Sequence, residues 1–278
     1  MTSQADKARA FRALHEAGVP FVIPNPWDIG SARLLEALGF KALATTSAGY
    51  AFTLGLPDNA VGREQMMRHL AELAPSTDLP VSADLENGFG DAPEEAAETI
   101  RQAAAAGVVG GSIEDATGRA DDPIYAHEFA VERVRAAVEA ARSLPFPFTL
   151  TARAENYLNG RPDLADTIRR LQAFQEAGAD VLYAPGLKTR DDIAAVVSSV
   201  DRPVNVLMGM AGMGFSVDDL AQMGVTRISV GGALARAALG ALLRAAKEML
   251  GQGTFTYTNE AASMKEIADL FASVRKNG

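Results

Sequence analysis

The chain has 278 residues, 48% of them apolar and 22% charged, the balance of an ordinary globular protein with ample material for a core, which excludes extended disorder. A formal net charge of −9 repels polyanions, and no run of Lys or Arg interleaved with aromatics offsets it, so nucleic acid is a poor partner. There is no cysteine, which removes disulfides, thiolate metal sites and thiol nucleophiles together.

Residues 1–13 alternate charged and apolar positions and lack the unbroken apolar core of a signal peptide. No later window approaches about 18 apolar residues without a charge, so a soluble, cytoplasmic protein with no membrane partner is expected. Short apolar or β-branched runs then recur at Phe21–Trp27, Ala42–Ser47, Pro80–Glu86, Gly110–Asp115, Phe148–Glu155, Asp180–Ala184, Pro203–Met208 and Arg227–Val230. Each precedes a loop and a stretch with helical spacing, the rhythm of βα units. Pro93 with Glu94 and Glu95 opens one helix that stops at Gly107, and Asp163 or Asp166 opens another that stops at Gly178. The tail from Phe255 keeps helical spacing at Ala262, Met264, Ile267, Leu270 and Phe271, a candidate for packing against a neighbouring subunit. Eight repeats in a chain of this length predict an α/β fold: a single (β/α)8 TIM barrel over residues 1–278 with extra N- and C-terminal helices. Near-continuous apolar strands suit a parallel sheet buried on both faces. A doubly wound open sheet shares the rhythm and is the alternative.

In such barrels the chemistry sits at the C-terminal ends of the strands. There the chain places Asp28, Asp58, Asp84, Glu86, Glu114, Asp115, Arg153 and Glu155. Residues two apart on a strand share a face, so Asp84 with Glu86, and Arg153 with Glu155, are expected to point into the mouth as pairs. Convergent carboxylates need a compensating cation. With no cysteine, and with His15, His69 and His127 in helical stretches and read as helix-surface residues, the ligands are oxygen only, which suits Mg2+ or Mn2+ rather than zinc or copper. Asp28 and Asp115 serve equally well as helix caps. Arg153, inside an otherwise apolar strand, needs an anionic partner, either Glu155 or a substrate carboxylate. Trp27 and Tyr183 are candidates to line the mouth. The glycines of 209–214 and of Gly231-Gly232 fall where many barrels bind phosphate, although plain turns also use them. No lysine ends a strand, which argues against Schiff-base chemistry.

At these positions the sequence resembles the isocitrate lyase / phosphoenolpyruvate mutase superfamily. The matching segments are Asn25-Pro26-Trp27-Asp28 with Ser31-Ala32-Arg33, then Thr45-Thr46-Ser47-Ala48-Gly49 leading to Gly55-Leu56-Pro57-Asp58. They continue with Ala83-Asp84-Leu85-Glu86-Asn87-Gly88-Phe89-Gly90, Ile113-Glu114-Asp115, Thr151-Ala152-Arg153-Ala154-Glu155 and Pro203-Val204-Asn205-Val206. They run in family order across almost the whole chain. The resemblance implies a homotetramer that exchanges its last helices between subunits, with Mg2+ held near Asp58, Asp84, Glu86 and Glu114, partly through water. It also implies that Thr46, Ser47 and Ala48 bind the carboxylate and oxo group of a small 2-oxo acid, helped by Arg153, with Asn205 close by.

The departures matter as much. Isocitrate and methylisocitrate lyases carry a Lys-(Lys/Arg)-Cys-Gly-His motif on a mobile loop after strand four, its cysteine acting as the acid. Here that region reads Ala116-Thr117-Gly118-Arg119-Ala120-Asp121-Asp122-Pro123, and Tyr183-Ala184-Pro185 lacks the glutamate of the lyases. The asparagine-bearing loop of the phosphonate mutases is also missing, whereas Thr117 is similar to the related phosphonopyruvate hydrolases. The expected activity is a Mg2+-dependent carbon–carbon lyase or decarboxylase acting on a small 2-oxo or 2-hydroxy acid through an enolate, with Thr117, Arg119 or Asp121 as candidate proton carriers. Carbon–phosphorus bond chemistry is the alternative, and a non-catalytic 2-oxo acid binding protein is the reading from another class.

Overall fold

The computed structural model describes residues 2–275. Eight short parallel strands make one sheet: β1 (Phe21–Ile23), β2 (Leu43–Ala44), β3 (Val81–Asp84), β4 (Gly110–Glu114), β5 (Thr149–Arg153), β6 (Val181–Tyr183), β7 (Val204–Leu207) and β8 (Arg227–Ser229). Their order is β1-β8-β7-β6-β5-β4-β3-β2. The two ends meet where the Ala44 N–H donates to the Pro24 carbonyl at 3.0 Å, so the sheet curls into the expected (β/α)8 barrel and not into an open, doubly wound sheet.

The helices are α1 (Gln4–Glu16), α2 (Ile29–Ala37), α3 (Ser47–Thr53), α4 (Arg63–Leu73), α5 (Pro93–Ala105) and α6 (His127–Arg142). After them come α7 (Leu164–Glu176), α8 (Arg190–Ser198), α9 (Val217–Gln222), α10 (Ala233–Gln252) and α11 (Met264–Arg275). Local chemistry starts them as read: Pro93 is the first residue of α5, and the Asp163 carboxylate caps α7 by accepting the Asp166 N–H at 3.0 Å. Asp28 proves to be a cap too, taking the Ser31 N–H at 2.7 Å while Ser31 Oγ accepts the Asp28 N–H at 3.1 Å.

The main core lies between strands and helices, with Leu43, Leu70, Phe148 and Phe174 fully buried. A smaller cluster closes the other end of the barrel: Ala8 and Phe11 of α1 pack against Ile23, Ala42 and Val109, the last two just before β2 and β4. His15 joins it, its ring edge-on to Phe11 and Phe21 at 4.8 and 5.0 Å. The histidines therefore need correcting. They lie in α1, α4 and α6, but His15 and His69 are buried packing residues, His69 stacked on Tyr50 at 3.8 Å, because a neutral imidazole tolerates an aromatic environment.

Every strand is shorter than the apolar run that announced it. β3 stops at Asp84 and β5 at Arg153, so Glu86 and Glu155 lie beyond their strands; Glu86 takes a left-handed backbone, φ 49°. Strand alternation thus does not orient the two pairs, although both glutamates still reach the mouth. At the C-terminus α11 packs on α2 of its own chain, and no described helix is long and apolar enough to cross a membrane.

The seal at the closed end tolerates little. A Cβ added at Gly110 would meet Phe11 Cε1 and the Thr149 carbonyl oxygen, each at 2.9 Å. Because a β5 backbone atom cannot withdraw, Gly110→Ala should destabilise by about 1–3 kcal/mol in urea unfolding. An unchanged midpoint would show that α1 yields instead.

Candidate active site

A cavity of about 770 Å3 opens at the C-terminal ends of the strands. Of the residues singled out from sequence, Thr46, Ser47, Ala48, Asp58, Asp84, Glu86, Glu114, Thr117, Arg153, Glu155, Tyr183 and Asn205 all line it. Trp27 does not: it is set behind Gly49, whose added Cβ would stand 2.9 Å from Trp27 Cβ. Asp28, committed to α2, and Asp115 are likewise outside the lining. Asp115 accepts the Glu155 N–H at 2.7 Å and the Arg170 guanidinium at 3.0 Å, so it anchors the chain just past β5.

Arg153 is the hub. Its Nη1 lies 2.9 Å from Asp84 Oδ1, its Nη2 3.0 Å from Glu114 Oε2 and 2.7 Å from Glu155 Oε1, and its Nε donates to Glu155 Oε1 at 2.8 Å. The β4–β5 register places Glu114 directly beside Arg153 and the β5–β6 register places Tyr183 on its other side, the ring 5.1 Å from the guanidinium carbon. A second knot forms where α3 begins. Thr46 caps that helix through the Gly49 N–H, and Ser47 Oγ donates toward Asp84 Oδ2 at 2.9 Å and Asp58 Oδ1 at 3.1 Å. Asp84 is steadied further by the Ser47 N–H at 3.1 Å, while its own N–H donates to Thr45 Oγ1 at 2.9 Å.

One guanidinium cannot balance so many acids. Burial, with Asp84 and Asp58 adding repulsion, pushes Glu86 up to about 8; burial raises Asp58 as well, Asp84 again adding. Glu114 and Glu155 are also raised by burial, which outweighs the pull of Arg153. Burial works against the charge on Arg153 too, but Glu155, Glu114 and Asp84 overcome it and hold the guanidinium protonated. Glu86 Oε1 is moreover buried without a hydrogen-bond partner. Among the described residues no three acids or histidines already converge as a complete ligand set. Mg2+ asks for less: it retains several waters and takes only one or two carboxylates directly. The oxygen-only donors, the excess negative charge and the orphaned Glu86 oxygen therefore fit this ion.

The loop after β4 is folded back on itself. Ala116 bridges Ile124, the Thr117 N–H donates to the Pro123 carbonyl at 2.9 Å, and Arg119 grips Asp91 at 2.8 and 3.1 Å. Thr117 lines the cavity, whereas Arg119 and Asp121 lie outside it and are exposed.

Three residues with supporting roles escaped the reading of the sequence. Asn25 takes the Val230 and Gly231 N–H groups at 2.9 Å and donates to the Thr45 carbonyl at 2.9 Å, tying three strands at the mouth. Arg133, 1% exposed, donates to the backbone carbonyls of Asn87, Gly90 and Asp91 and thereby shapes the turn behind Glu86. Its signal was present as an arginine on the apolar stripe of α6, beside Ala130, Val134 and Ala137. The third is Arg227, which lines the cavity from the first position of β8.

Acids gathered around one arginine at the C-terminal mouth of a (β/α)8 barrel stand where enzymes of this fold carry their active sites. The chain is a member of the phosphoenolpyruvate phosphomutase family, whose sequence profile matches residues 11–250. A crystal structure from Burkholderia cenocepacia J2315, designated a lyase/mutase, is 65% identical, covers 97% of this chain and 96% of its own, and superposes with a TM-score of 0.94. A phosphonopyruvate hydrolase solved with oxalate and Mg2+ is 26% identical, covers 100% of this chain and 97% of its own, with a TM-score of 0.85. The 2-methylisocitrate lyase of Bacillus subtilis strain 168 is 29% identical over 237 residues, 80% of this chain and 75% of that one.

The raised Glu86 has a thermodynamic signature. A carboxyl whose pKa is about 8 folded and near 4.5 unfolded stabilises the fold fully below pH 4.5, and that contribution disappears as pH rises through 8. With a chelator present, the melting temperature should fall between pH 5 and 8, and Glu86→Gln should flatten much of that fall; an equally steep fall in the variant would remove Glu86 as its source.

Proposed function

We propose that the protein is a Mg2+-dependent carbon–carbon lyase or decarboxylase of the cytoplasm, acting on a small 2-oxo or 2-hydroxy di- or tricarboxylic acid. The observation that carries this reading is Arg153 held among Asp84, Glu114 and Glu155 at the rim of a cavity that also contains Asp58 and Glu86. Asp84 and Glu86, with Asp58 and Glu114 behind water, would hold the ion; Mn2+ suits the same oxygens. When bound, Mg2+ supplies Lewis-acid polarisation of the 2-oxo group.

The remaining work falls to the chain. Ser47, Thr46 and Ala48 at the start of α3 receive the carboxylate and oxo oxygens, and Asn205 and Tyr183 bound the opposite wall. Of the five N–H donors of a guanidinium, Arg153 gives its Nε proton to Glu155 and one Nη1 proton to Asp84, and its Nη2 pairs with Glu114 and Glu155, leaving one Nη1 proton for a ligand. For a 2-oxo dicarboxylate such as oxaloacetate, the bond beyond C3 breaks, CO2 leaves, and the electron pair delocalises toward the 2-oxo oxygen, where the fixed charge of Arg153 meets it without reorganising. A proton then reaches C3. Thr117 lines the cavity while Arg119 and Asp121 do not, and it is the loop residue we assign to relay the proton; its hydroxyl donates to the Asp122 carbonyl and accepts the Arg119 N–H at 3.0 Å, so the relay requires the bond to Asp122 to open.

Thr117 also favours a second reading, carbon–phosphorus cleavage, in line with the phosphonopyruvate hydrolase to which the chain is similar. Oxaloacetate, 2-methylisocitrate and phosphonopyruvate assayed with Mg2+, with and without chelator, separate the two. Turnover of either of the first two that chelator abolishes is the expected result, phosphate release from the third favours the alternative, and oxalate binding without turnover of any leaves a binding protein. Asp84→Ala should lower Mg2+ affinity by more than about tenfold in calorimetry while the barrel stays folded. Unfolding with metal affinity intact would misplace the site.

We also propose a homo-oligomer, a tetramer, that covers α10. Leu242, Leu243 and Leu250 on this helix are 60%, 57% and 89% exposed, a run of apolar surface that calls for a partner, and exchange of the C-terminal helices between subunits would bury it. Light scattering of the wild type should give a multiple of 29.2 kDa, and Leu242→Glu should lower it; a wild-type monomer refutes the assembly.

A further inference from the structure

Besides Arg153 and Arg63, which pairs with Glu95, the cavity is lined by a guanidinium that no acid neutralises. Arg227 opens β8, is 4% exposed and lines the cavity together with Asn205 and Ser229. Its Nε donates to Asn205 Oδ1 at 2.9 Å, but Nη1 is buried without a hydrogen-bond partner. The ionisable groups around it are Tyr183, Arg153 and His15, whose protonation Arg227 disfavours; no acid acts on it. Burial, opposed by Tyr183 and reinforced by Arg153, pulls its pKa down to about 10, which still leaves it charged near neutrality.

The other buried arginines are matched. Arg153 faces three carboxylates, Arg170 has Asp115 and Asp166, and Arg133 donates to a set of backbone carbonyls. Burying a guanidinium without such a partner is strongly unfavourable, so an unpaired one beside a cavity points to an anion that arrives from outside.

The surroundings have the same polarity. A guanidinium can only donate, so the bond from Arg227 Nε dictates the Asn205 amide: Oδ1 turns to the arginine, and Nδ2 turns to Ser229 Oγ at 2.9 Å. Asn205 thus has a second Nδ2 proton beyond the one given to Ser229, and Arg227 has its unused Nη1. Both groups offer protons and neither offers a lone pair.

We infer that Arg227 and Asn205 form an anion subsite that receives the second carboxylate of a short 2-oxo dicarboxylate, and so select dicarboxylic over monocarboxylic substrates. This rests on reading the mouth around Arg153 and Ser47 as the seat of the 2-oxo acid end. Two cations on one wall, with Tyr183 between them in register (Arg153 beside Tyr183, Tyr183 beside Asn205, Asn205 beside Arg227), give a two-point match to a dianion.

The experiment compares two ligands by calorimetry in Mg2+ buffer. Oxalate spans only the oxo-acid end, whereas 3,3-difluorooxaloacetate carries the further carboxylate. In Arg227→Met the Kd for difluorooxaloacetate should rise at least 30-fold and that for oxalate less than threefold, and Arg227→Lys should recover part of the loss. Equal loss for both ligands would assign Arg227 a purely structural role, and no change for either would mean that water alone occupies the floor; each result overturns the inference. Wild-type protein provides a reading free of any folding defect: difluorooxaloacetate should bind at least tenfold more tightly than 2-oxobutyrate, a monocarboxylate of the same chain length, and equal affinity overturns the subsite. If oxalate itself does not bind the wild type, the oxo-acid reading of the mouth fails and takes the subsite with it; if oxalate binds and the ligand ratio ignores Arg227, only the subsite fails.

Discussion

A single guanidinium shared by acids from three adjacent strands governs this molecule. Asp84 closes β3, Glu114 closes β4, and Arg153 closes β5 with Glu155 two residues on; the four side chains meet because neighbouring parallel strands end at the same rim. An arginine and an acid removed from water attract strongly only where the geometry satisfies their hydrogen bonds. Here it does, and the planar fork of Arg153 engages several oxygens at fixed angles in a way that a lysine could not.

The same constraint explains why the site is poised for a divalent ion. One positive charge is distributed over three acids and pulls on Glu86 and Asp58 less than burial pushes, so both carboxyls are raised, Glu86 to about 8. A hard cation among these oxygens would reverse that, exchanging protons for metal. The barrel supports the arrangement from behind. Arg133 fixes the turn after Glu86 and Asp115 fixes the backbone of Glu155, both from outside the cavity, while Asn25, which lines it, ties the loop after β8 to β1 and β2. Family membership agrees with this picture, since a solved relative holds oxalate and Mg2+ on the same fold.

Much of this was legible in the residues. The acids at the strand ends and Arg153 stood out because charges interrupt otherwise apolar runs, and eight βα repeats implied a ring whose C-terminal edge would collect them. Two inferences reached the right place by the wrong route. Glu86 and Glu155 were expected to point inward through strand alternation, yet both lie past their strands, Glu86 in a left-handed turn that a two-residue period cannot anticipate. Burial of His15 and His69 was also missed, because a helical pattern marks an apolar stripe but does not say that a neutral imidazole will be taken into it.

The sequence by itself determined the barrel, the oxygen-only character of the site and the set of acids at its rim, since periodicity and residue chemistry are local properties. Tertiary structure alone decided which charges are paired. Arg153 found its acids, Asp28 was diverted to a helix cap, Trp27 was left behind the wall, and Arg227 was left in the cavity with an unused donor. The physical reason is that pairing depends on which strands lie side by side. Residues far apart in the chain become neighbours only when β3, β4 and β5 align at one rim and β7 aligns with β8, and no window of sequence contains that distance.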